Sequence, residues 1–249
     1  MAQSRTPRIS TRGYYDLTTG KTLRKKPYDL YPKKFFESLG KEKEFTIMIH
    51  GLRNDVSGAI AKFKIAKRRL LQLGYRYPVV GFSYDSNTKG VQYKSTELKA
   101  TKIGRIIAKK NGRNLARFIA DFKKQHPDAR IRLMGHSLGS EVILYTLAAL
   151  KKKKGVVEAV YFFGGSIPAT SVQPQKFGKI LQSTVRHKVL NYFSPDDDVL
   201  KHAYEHLLIE KPIGYLGNVG KVISKYSQKK VTPKNHRFVS YSLVITNYP

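Results

Sequence analysis

From Phe45 onward, apolar residues follow two spacings that alternate along the chain. Short, continuous apolar runs are typical of buried strands, whereas apolar residues three or four positions apart are typical of helices that pack on one side. The strand pattern covers residues 45–50, 78–84, 131–134, 157–163 and 187–193, and the helical pattern covers 56–74, 95–125 with a break near Asn111-Gly112, 138–151 and 172–184. Strands separated by helices predict βαβ crossovers. We therefore expect an α/β fold, with a mostly parallel sheet and helices on both faces.

Residues 1–40 lack a clear period. Polar and apolar residues are mixed there, and turn residues occur at Thr19-Gly20 and Lys26-Pro27. We expect one or two short strands and much loop in a basic N-terminal extension over residues 1–40. A single α/β domain over residues 41–249 should follow it.

The charge of the chain is strongly one-sided. Lys and Arg total 47 against 17 Asp and Glu, which gives a formal net charge of +30 over 249 residues. Such a field attracts polyanions, so we expect a nucleic acid or an anionic membrane surface as a partner, bound through the basic surface.

Composition also excludes several kinds of site and bears on where the protein is located. The chain has no cysteine, which excludes disulfides, a cysteine nucleophile and a Cys-ligated metal site. No apolar run reaches the ~20 residues that a membrane-spanning helix needs. The N-terminus lacks the apolar segment of a secretory signal. We therefore expect a cytoplasmic protein.

The strongest motif is G-H-S-L-G at residues 135–139, between a predicted strand and a predicted helix. This is the context that a G-x-S-x-G nucleophile turn requires, because the turn is tight and its flanks need glycine. Ser137 is therefore the candidate nucleophile. The backbone N–H of Leu138, directly after it, is a candidate donor to the oxyanion of an acyl-transfer reaction.

A second turn, at the end of strand 45–50, has the sequence His50-Gly-Leu-Arg53. A small residue after a strand lets a backbone N–H turn toward the site, so the N–H of Leu52 is the candidate for the second oxyanion donor. We expect His50 to be structural and to hold this turn by a side-chain hydrogen bond.

Acid and base candidates follow the serine in the order that such folds use, which is serine, acid, histidine. Three acids follow the strand 187–193, and we expect Asp197 to be the acid, with Asp196 second and Asp198 left to cap the next helix. His236 lies about 40 residues beyond them and is the candidate general base. The other six histidines precede the acids or follow them too closely: His50, His126, His136, His187, His202 and His206.

Two competing patterns are weaker. Residues 202–206 match H-x-x-E-H, a zinc-protease pattern, but residues 211–249 contain no Asp or Glu to supply a third ligand. The glycines at 214, 217 and 220 do not form a phosphate-binding P-loop and predict a flexible loop or lid. We expect no metal site.

Together these residues resemble the α/β-hydrolase-fold serine hydrolases of the lipase and esterase type. The likeness rests on the His-Gly-Leu turn, the G-H-S-L-G motif and the Asp-Asp-Val acid loop. With residues 8–16 and Phe163–Pro168 added, the chain more narrowly resembles uncharacterised archaeal hydrolases of this fold.

The resemblance implies hydrolysis of a carboxylic ester (a lipid, a simple ester or a thioester) through an acyl-serine, with Ser137, Asp197 and His236 as the triad. It implies a small ester or lipid substrate and no cofactor. The alternative is a basic protein associated with nucleic acid or the cell envelope, which has retained a hydrolase fold with little or no activity.

Overall fold

The described residues form a sheet of eight strands through the centre of the protein. In the computed structural model, which describes residues 6–249, they are β1 (Arg8–Ser10), β2 (Asp29–Tyr31), β3 (Glu44–Ile49), β4 (Val79–Ser83), β5 (Arg130–His136), β6 (Val157–Phe163), β7 (Val185–Phe193) and β8 (Tyr226–Lys230). They lie in the order β2-β1-β4-β3-β5-β6-β7-β8. Among these eight, the edge strand β2 runs antiparallel to β1, and the other pairs are parallel.

Helices cover both faces of this sheet. They are α1 (Lys33–Leu39), α2 (Val56–Gln72), α3 (Glu97–Gln125), α4 (Gly139–Ala149), α5 (Lys179–Thr184), α6 (Asp198–Glu205), α7 (Ile213–Leu216) and α8 (Phe238–Leu243). Neighbouring residues of β3 point to opposite faces. Ile47 joins a core with residues of α3 and α4, and Met48 joins a core with residues of α2 and α8. The arrangement confirms the predicted α/β class. Across residues 6–249, no helix combines the length and the apolar character that crossing a bilayer would demand.

Helix α3 is continuous where the sequence predicted a break. Gly112 lies against α4, and a Cβ there would be 2.5 Å from the Cβ of Tyr145. The Asn111 side chain donates a hydrogen bond to the carbonyl oxygen of Ile107, 2.9 Å away. The Asn-Gly pair therefore allows two helices to approach closely and does not end a helix.

The helix predicted over residues 172–184 is wrong in its first half. Ala169–Val172 form a 3₁₀ turn, and Pro174–Gly178 form a distorted turn in which Lys176 has φ −105° and ψ −115°. Helix α5 begins only at Lys179. Proline lacks the N–H that a helix interior requires, so the apolar spacing could not be continued backward through Pro174.

Strands β1 and β2 and helix α1 come from the span 1–40, which the sequence assigned to an extension. Strand β1 pairs in parallel with β4, with Ile9 opposite Phe82, and Ile9 is fully buried. Six residues of this span, in β1 and β2, therefore belong to the central sheet. Its strands have three residues each, too few to show a period in the sequence. Residues 1–5 of the predicted extension lie outside the described residues.

The parallel strands all end at one edge of the sheet, and that edge carries the residues of interest. The loops after β3, β5 and β7 begin at His50, Ser137 and Ser194. Because β3, β5, β6 and β7 are neighbours in the sheet, these loops lie side by side. In open α/β sheets, ligands bind at this carboxyl edge.

Candidate active site

Ser137 lies on a sharp turn between β5 and α4. Its φ is +52°, a left-handed value that is uncommon for a residue with a side chain. A Cβ at Gly135 would lie 2.7 Å from Cδ1 of Ile143, and a Cβ at Gly139 would lie 2.4 Å from the carbonyl oxygen of Ile49. The turn therefore needs glycine on both sides of the serine, as the nucleophile turn of a G-x-S-x-G motif does.

The structure brings Ser137, Asp197 and His236 together. Nε2 of His236 is 3.0 Å from Oγ of Ser137, and Nδ1 of His236 is 2.7 Å from Oδ2 of Asp197. Asp197 is buried, whereas Asp196, the second candidate for the acid, is exposed. The three side chains form one hydrogen-bonded chain of the serine–histidine–carboxylate type. Their catalytic roles stay a prediction.

Asp197 accepts hydrogen bonds from three directions. His236 Nδ1 and the hydroxyl of Tyr241 each lie 2.7 Å from Oδ2, and the N–H of Leu200 lies 3.0 Å from Oδ1. Burial alone would raise the pKa of Asp197, but the hydrogen bonds from His236, Tyr241 and Leu200 outweigh it and lower that pKa. The carboxyl group is therefore ionised at neutral pH. The bond from Leu200 caps α6, so Asp197 takes the capping position that the sequence left to Asp198.

Replacing Tyr241 with phenylalanine should lower the free energy of unfolding by ~1–2 kcal/mol at about pH 7, because it removes a hydrogen bond to a buried carboxylate. The folded-state pKa of Asp197 is lowered, so its charge contributes stability at neutral pH that is lost as the pH falls through that pKa. The difference from wild type should therefore hold from about pH 7 to about pH 4, near the ordinary pKa of an Asp, and shrink below it in denaturant titrations. A difference that does not shrink as the pH falls well below about 4 would contradict the assignment.

His136 supports the histidine of this chain, and the sequence analysis missed it. Its Nε2–H donates to the backbone carbonyl oxygen of His236 at 2.8 Å, and the two rings lie 5.0 Å apart. Burial, reinforced by the nearby His236, holds the pKa of His136 well below its usual range, so its ring is neutral. The residue before the nucleophile therefore fixes the loop that carries His236. In the sequence, this role was indicated only by the presence of a histidine at the second position of the G-H-S-L-G motif.

The Gly51–Leu52 peptide lies directly against the serine. A Cβ on Gly51 would be 2.7 Å from Cβ of Ser137 and 3.2 Å from its Oγ. The carbonyl oxygen of Gly51 accepts hydrogen bonds from Nδ1 of His50 at 2.9 Å and from Nδ2 of Asn54 at 3.0 Å. In a trans peptide the N–H points away from the carbonyl. The same bonds therefore also fix the direction of the Leu52 N–H.

The Ser137–Leu138 peptide is fixed in a similar way. The carbonyl oxygen of Ser137 accepts bonds from the N–H and Oγ of Ser140 at 3.1 and 2.6 Å, and from the N–H of Ser166 at 3.2 Å. Within residues 6–249, neither the N–H of Leu138 nor that of Leu52 donates to a protein acceptor. Two oriented backbone N–H groups beside a serine match the requirements of an oxyanion site. Their convergence on one point stays a prediction.

A cavity of about 430 Å³ opens beside Ser137 and His236. Its apolar wall consists of Leu52, Leu138, Val199, Leu200, Ala203, Leu208 and Ile209, and its charged wall includes Arg53, Lys94, Glu97, Arg105, Asp198 and His202. Glu97 joins the two sides of the opening, with Oε1 3.0 Å from Arg53 and Oε2 3.0 Å from Nε2 of His202. The serine therefore faces a pocket of ligand size with a largely apolar lining.

The H-x-x-E-H residues serve other contacts. His202 bonds to Glu97, and Nδ1–H of His206 donates to the carbonyl oxygen of His202. In the part of the chain that the structure describes, no cluster of three His, Asp or Glu side chains could hold a metal ion.

A family model described as "Protein of unknown function (DUF726)" matches residues 99–246, which is more than half of the chain. The chain belongs to this family. Ser137, Asp197 and His236 all lie within the matched residues, whereas the Gly51–Leu52 peptide precedes them. None of the curated proteins matches the chain.

Several solved structures are similar in fold. A lipase-esterase related protein from Clostridium acetobutylicum is 14% identical with a TM-score of 0.41, over 83% of this chain and 90% of that chain. An α/β serine hydrolase without lid from Xanthomonas campestris is 15% identical with a TM-score of 0.43, over 80% and 74% of the two chains. A cutinase from Trichoderma reesei is 15% identical with a TM-score of 0.38, over 85% and 78%. Similarities this low say nothing about activity.

The DUF726 chain has an α/β-hydrolase fold. Its own architecture carries this assignment, through the mostly parallel eight-stranded sheet and the serine turn between strand and helix. The narrower likeness to archaeal hydrolases stays a prediction.

Proposed function

We propose that the protein is a serine hydrolase that cleaves carboxylic ester bonds through an acyl-serine intermediate. One observation carries the proposal, namely the unbroken hydrogen-bonded chain from Ser137 Oγ through His236 to the buried Asp197. A serine hydroxyl is a weak nucleophile by itself and needs a base within hydrogen-bond reach, which must in turn be oriented by a third group. Each of these three requirements has its residue.

In the acylation step, Oγ of Ser137 attacks the ester carbonyl carbon while Nε2 of His236 takes the hydroxyl proton. Asp197 accepts the hydrogen bond of Nδ1–H, which keeps Nε2 free as the base and stabilises the imidazolium that forms. The carbonyl oxygen becomes an oxyanion, which the N–H groups of Leu52 and Leu138 stabilise. Collapse of this intermediate expels the alcohol, which takes its proton from His236, and leaves the acyl group on Ser137.

In the deacylation step, a water molecule loses a proton to Nε2 of His236 and attacks the acyl carbon. The second tetrahedral intermediate uses the same two N–H groups, and its collapse returns the proton to Oγ of Ser137 and releases the carboxylic acid. Besides the ester and water, every group in this cycle is a side chain or a backbone N–H of the protein. The apolar wall of the cavity suits the acyl part of a lipid, a simple ester or a thioester.

A fluorophosphonate probe tests the proposal, because it reacts covalently with an activated serine and hardly at all with an ordinary one. We expect peptide mapping to find the probe on Ser137, and we expect labelling to be lost in His236→Ala. A folded protein that takes up no probe and turns over no ester would contradict the proposal. Salt-dependent DNA binding by such an inactive protein would favour the basic protein that has retained a hydrolase fold.

Replacing Leu138 with alanine should leave most of the turnover per folded molecule, because the proposed donor is the backbone N–H and alanine keeps it. Leu138 is buried, so the substitution should cost about 2–4 kcal/mol of stability through lost packing. Initial rates corrected for the folded fraction, with thermal unfolding in parallel, separate the two effects. If corrected turnover fell to background, the assignment of the oxyanion donor would need replacing.

A further inference from the structure

Arg12, in the loop after β1, joins the N-terminal segment to residues 50–55, the loop that precedes α2. Its guanidinium group donates to four acceptors: Ser83 Oγ, Asn54 O and Asp55 O at 2.9 Å each, and His50 Nε2 at 3.2 Å. Three of the four belong to residues 50–55. The planar fork of an arginine can hold several acceptors in one fixed arrangement, which the point charge of a lysine cannot do.

These contacts decide which nitrogen of His50 carries the proton. Nε2 faces the guanidinium of Arg12 and the backbone N–H of Tyr84 at 3.2 Å, and both groups can only donate. Nε2 must therefore accept, and the proton of the neutral ring is on Nδ1. Burial and the charge of Arg12 both lower the pKa of His50, which keeps the ring neutral. Nδ1–H then donates to the carbonyl oxygen of Gly51.

The N-terminal segment is itself well fixed. The carboxylate of Asp85 accepts the backbone N–H groups of Gly13, Tyr14 and Tyr15 at 3.0–3.1 Å. Asp85 also lies near the guanidinium of Arg12, whose pKa is lowered to about 10, chiefly by burial and against the pull of Asp85. The turn that carries Arg12 therefore has a defined position relative to β4 and to residues 50–55.

We propose that Arg12 is a positioning residue for the acyl-transfer reaction. Through His50 it holds the Gly51–Leu52 peptide so that the Leu52 N–H faces the oxyanion that forms at Ser137. The inference rests on the proposed function. Arg12 contacts neither Ser137 nor His236, and it precedes residues 99–246, which the family model matches.

The kinetic test compares Arg12→Lys with Arg132→Lys. Arg132 is buried, whereas Arg12 is half-buried, and the guanidinium of Arg132 donates to Glu44 at 3.0 and 3.2 Å at the opposite edge of the sheet. A misplaced oxyanion donor weakens binding of the transition state and not of the ester, and losing one such donor costs about 10²–10³-fold in kcat. We expect Arg12→Lys to lower kcat about 10–100-fold with KM changed less than about threefold. We expect Arg132→Lys to keep the wild-type kcat, although it should lose as much thermal stability as Arg12→Lys or more.

Two further measurements test the proposal without depending on overall stability. The second of them does not depend on activity either. Guanidinium at about 10–50 mM should restore part of kcat in Arg12→Ala and should leave Arg132→Ala unchanged. The backbone amide resonance of Leu52 should shift in Arg12→Ala and stay in place in Arg132→Ala, because the proposal has Arg12 hold the Gly51–Leu52 peptide through His50. The Arg12 proposal is overturned by wild-type kcat in Arg12→Lys, or by an unchanged Leu52 amide resonance in Arg12→Ala even if the protein hydrolyses nothing. Absence of Ser137-dependent turnover, with the Leu52 resonance shifted as expected, would reject the hydrolase alone.

A different observation concerns the opposite edge of the sheet, where the parallel strands begin. We define the basic edge as Lys41, Lys43, Arg76, Arg130, Arg186 and Lys151–Lys154, all of them exposed. Two surface hollows lie along it, one lined by Lys41, Lys43, Arg130 and Arg186 and the next by Arg76 and Arg130. Lys151–Lys154 adjoin the first hollow, because a Cβ on the next residue, Gly155, would lie 3.7 Å from Nε of Arg186. The cations therefore form a continuous band.

The nine cations of this band outnumber its acids, two of which, Glu42 and Asp128, line the first hollow. Glu44 is shared by Arg130 and Arg132, and Glu158 is shared by Arg186 and His187. The pKa of Lys123 is lowered, first by burial and then by repulsion from Arg186. Among residues 6–249, Lys41, Lys43, Arg76 and Lys151–Lys154 form no ion pair. Such an excess of like charge destabilises the folded state through repulsion, and a bound anion would relieve that repulsion.

We infer that the basic edge binds the phosphate backbone of a nucleic acid. Exposed lysines and arginines suffice for phosphate contacts, whereas docking on a membrane commonly adds apolar side chains that insert into it. In the described part of the chain, none of the exposed large apolar side chains lines either hollow, although Leu71, three residues before Gly74 of the second hollow, is exposed. The edge also lies opposite Ser137, so binding there leaves the cavity open.

The test uses a fluorescein-labelled 20-base-pair DNA duplex and two variants of equal charge. One changes Lys151–Lys154 to glutamine, and the control changes four exposed helix lysines to glutamine: Lys64, Lys67, Lys99 and Lys102. At about 100 mM salt, we expect the edge variant to lose at least tenfold in affinity and the control less than threefold. The salt dependence should fall by up to ~0.9 in log–log slope for each lost phosphate contact.

Ester turnover gives the companion measurement. A neutral ester should be hydrolysed at the same rate by wild type and the edge variant at about 50 and 500 mM salt, although DNA binding collapses over that range. Equal losses in both variants would show a diffuse field and overturn the assignment. Tighter binding to vesicles with about 30% anionic lipid than to DNA would overturn it in favour of a membrane surface.

Discussion

Ser137→Ala should lower kcat for ester hydrolysis by about 10⁴–10⁶-fold. Removing Oγ removes the atom that attacks the carbonyl carbon, and losses of this size are typical when a triad nucleophile is deleted. The fold should be unaffected, because Oγ of Ser137 contacts His236 and supports no packing. Initial rates on a chromogenic ester, with circular dichroism and thermal unfolding as the folding check, give the result.

Two variants sharpen this expectation. Ser166→Ala is the matched control, because Ser166 lines the same cavity but contacts Ser137 through its backbone N–H, which alanine retains. It should keep most of the turnover. The double variant with His236→Ala should be no slower than Ser137→Ala, because residues that act as a unit are not additive. A further tenfold loss in the double variant, or full activity in Ser137→Ala, would mean that another group attacks the ester.

The sequence predicts contacts between residues that are close together in the chain better than contacts between residues that are far apart in it. The serine turn is local, because five consecutive residues contain the nucleophile and both glycines that its geometry needs. The acids were found in the loop after a predicted strand. His236 was then found because the histidine follows the serine and the acid along the chain in such folds. Choosing Asp197 over Asp196 depended on where the strand ends, which the pattern of residues 187–193 indicated within a residue or two.

The supporting residues could not be found in this way. His136 contacts His236 across 100 positions, and Tyr241 contacts Asp197 across 44. The contact between Arg12 and His50 spans 38 positions and starts in a segment without any period. Such contacts arise only when the sheet aligns its strand ends, so no spacing in the sequence encodes them. The same holds for β1, whose three residues become a strand because β4 offers a free edge.

Asp197→Asn should lower kcat about 10³–10⁴-fold while leaving the backbone in place. If the amide nitrogen occupies the position of Oδ2, it donates to Nδ1 of His236, and the ring must carry its proton on Nε2, where it cannot take the proton of Ser137. If the nitrogen occupies the position of Oδ1, it faces the N–H of Leu200, and two donors oppose each other. The first arrangement avoids that clash, so the inactive tautomer is favoured.

Asp196→Asn is the matched control, because it makes the same chemical change one residue earlier on an exposed side chain. It should keep nearly all of the turnover. In Asp197→Asn, the loss should lie in kcat and in the rate of fluorophosphonate labelling, with KM nearly unchanged, because the substrate contacts neither carboxylate oxygen. If Asp196→Asn were as slow as Asp197→Asn, or if Asp197→Asn kept more than about a third of the wild-type kcat, then His236 would not depend on this carboxylate. The buried bonds from Tyr241 and Leu200 to Asp197 would then serve the fold alone.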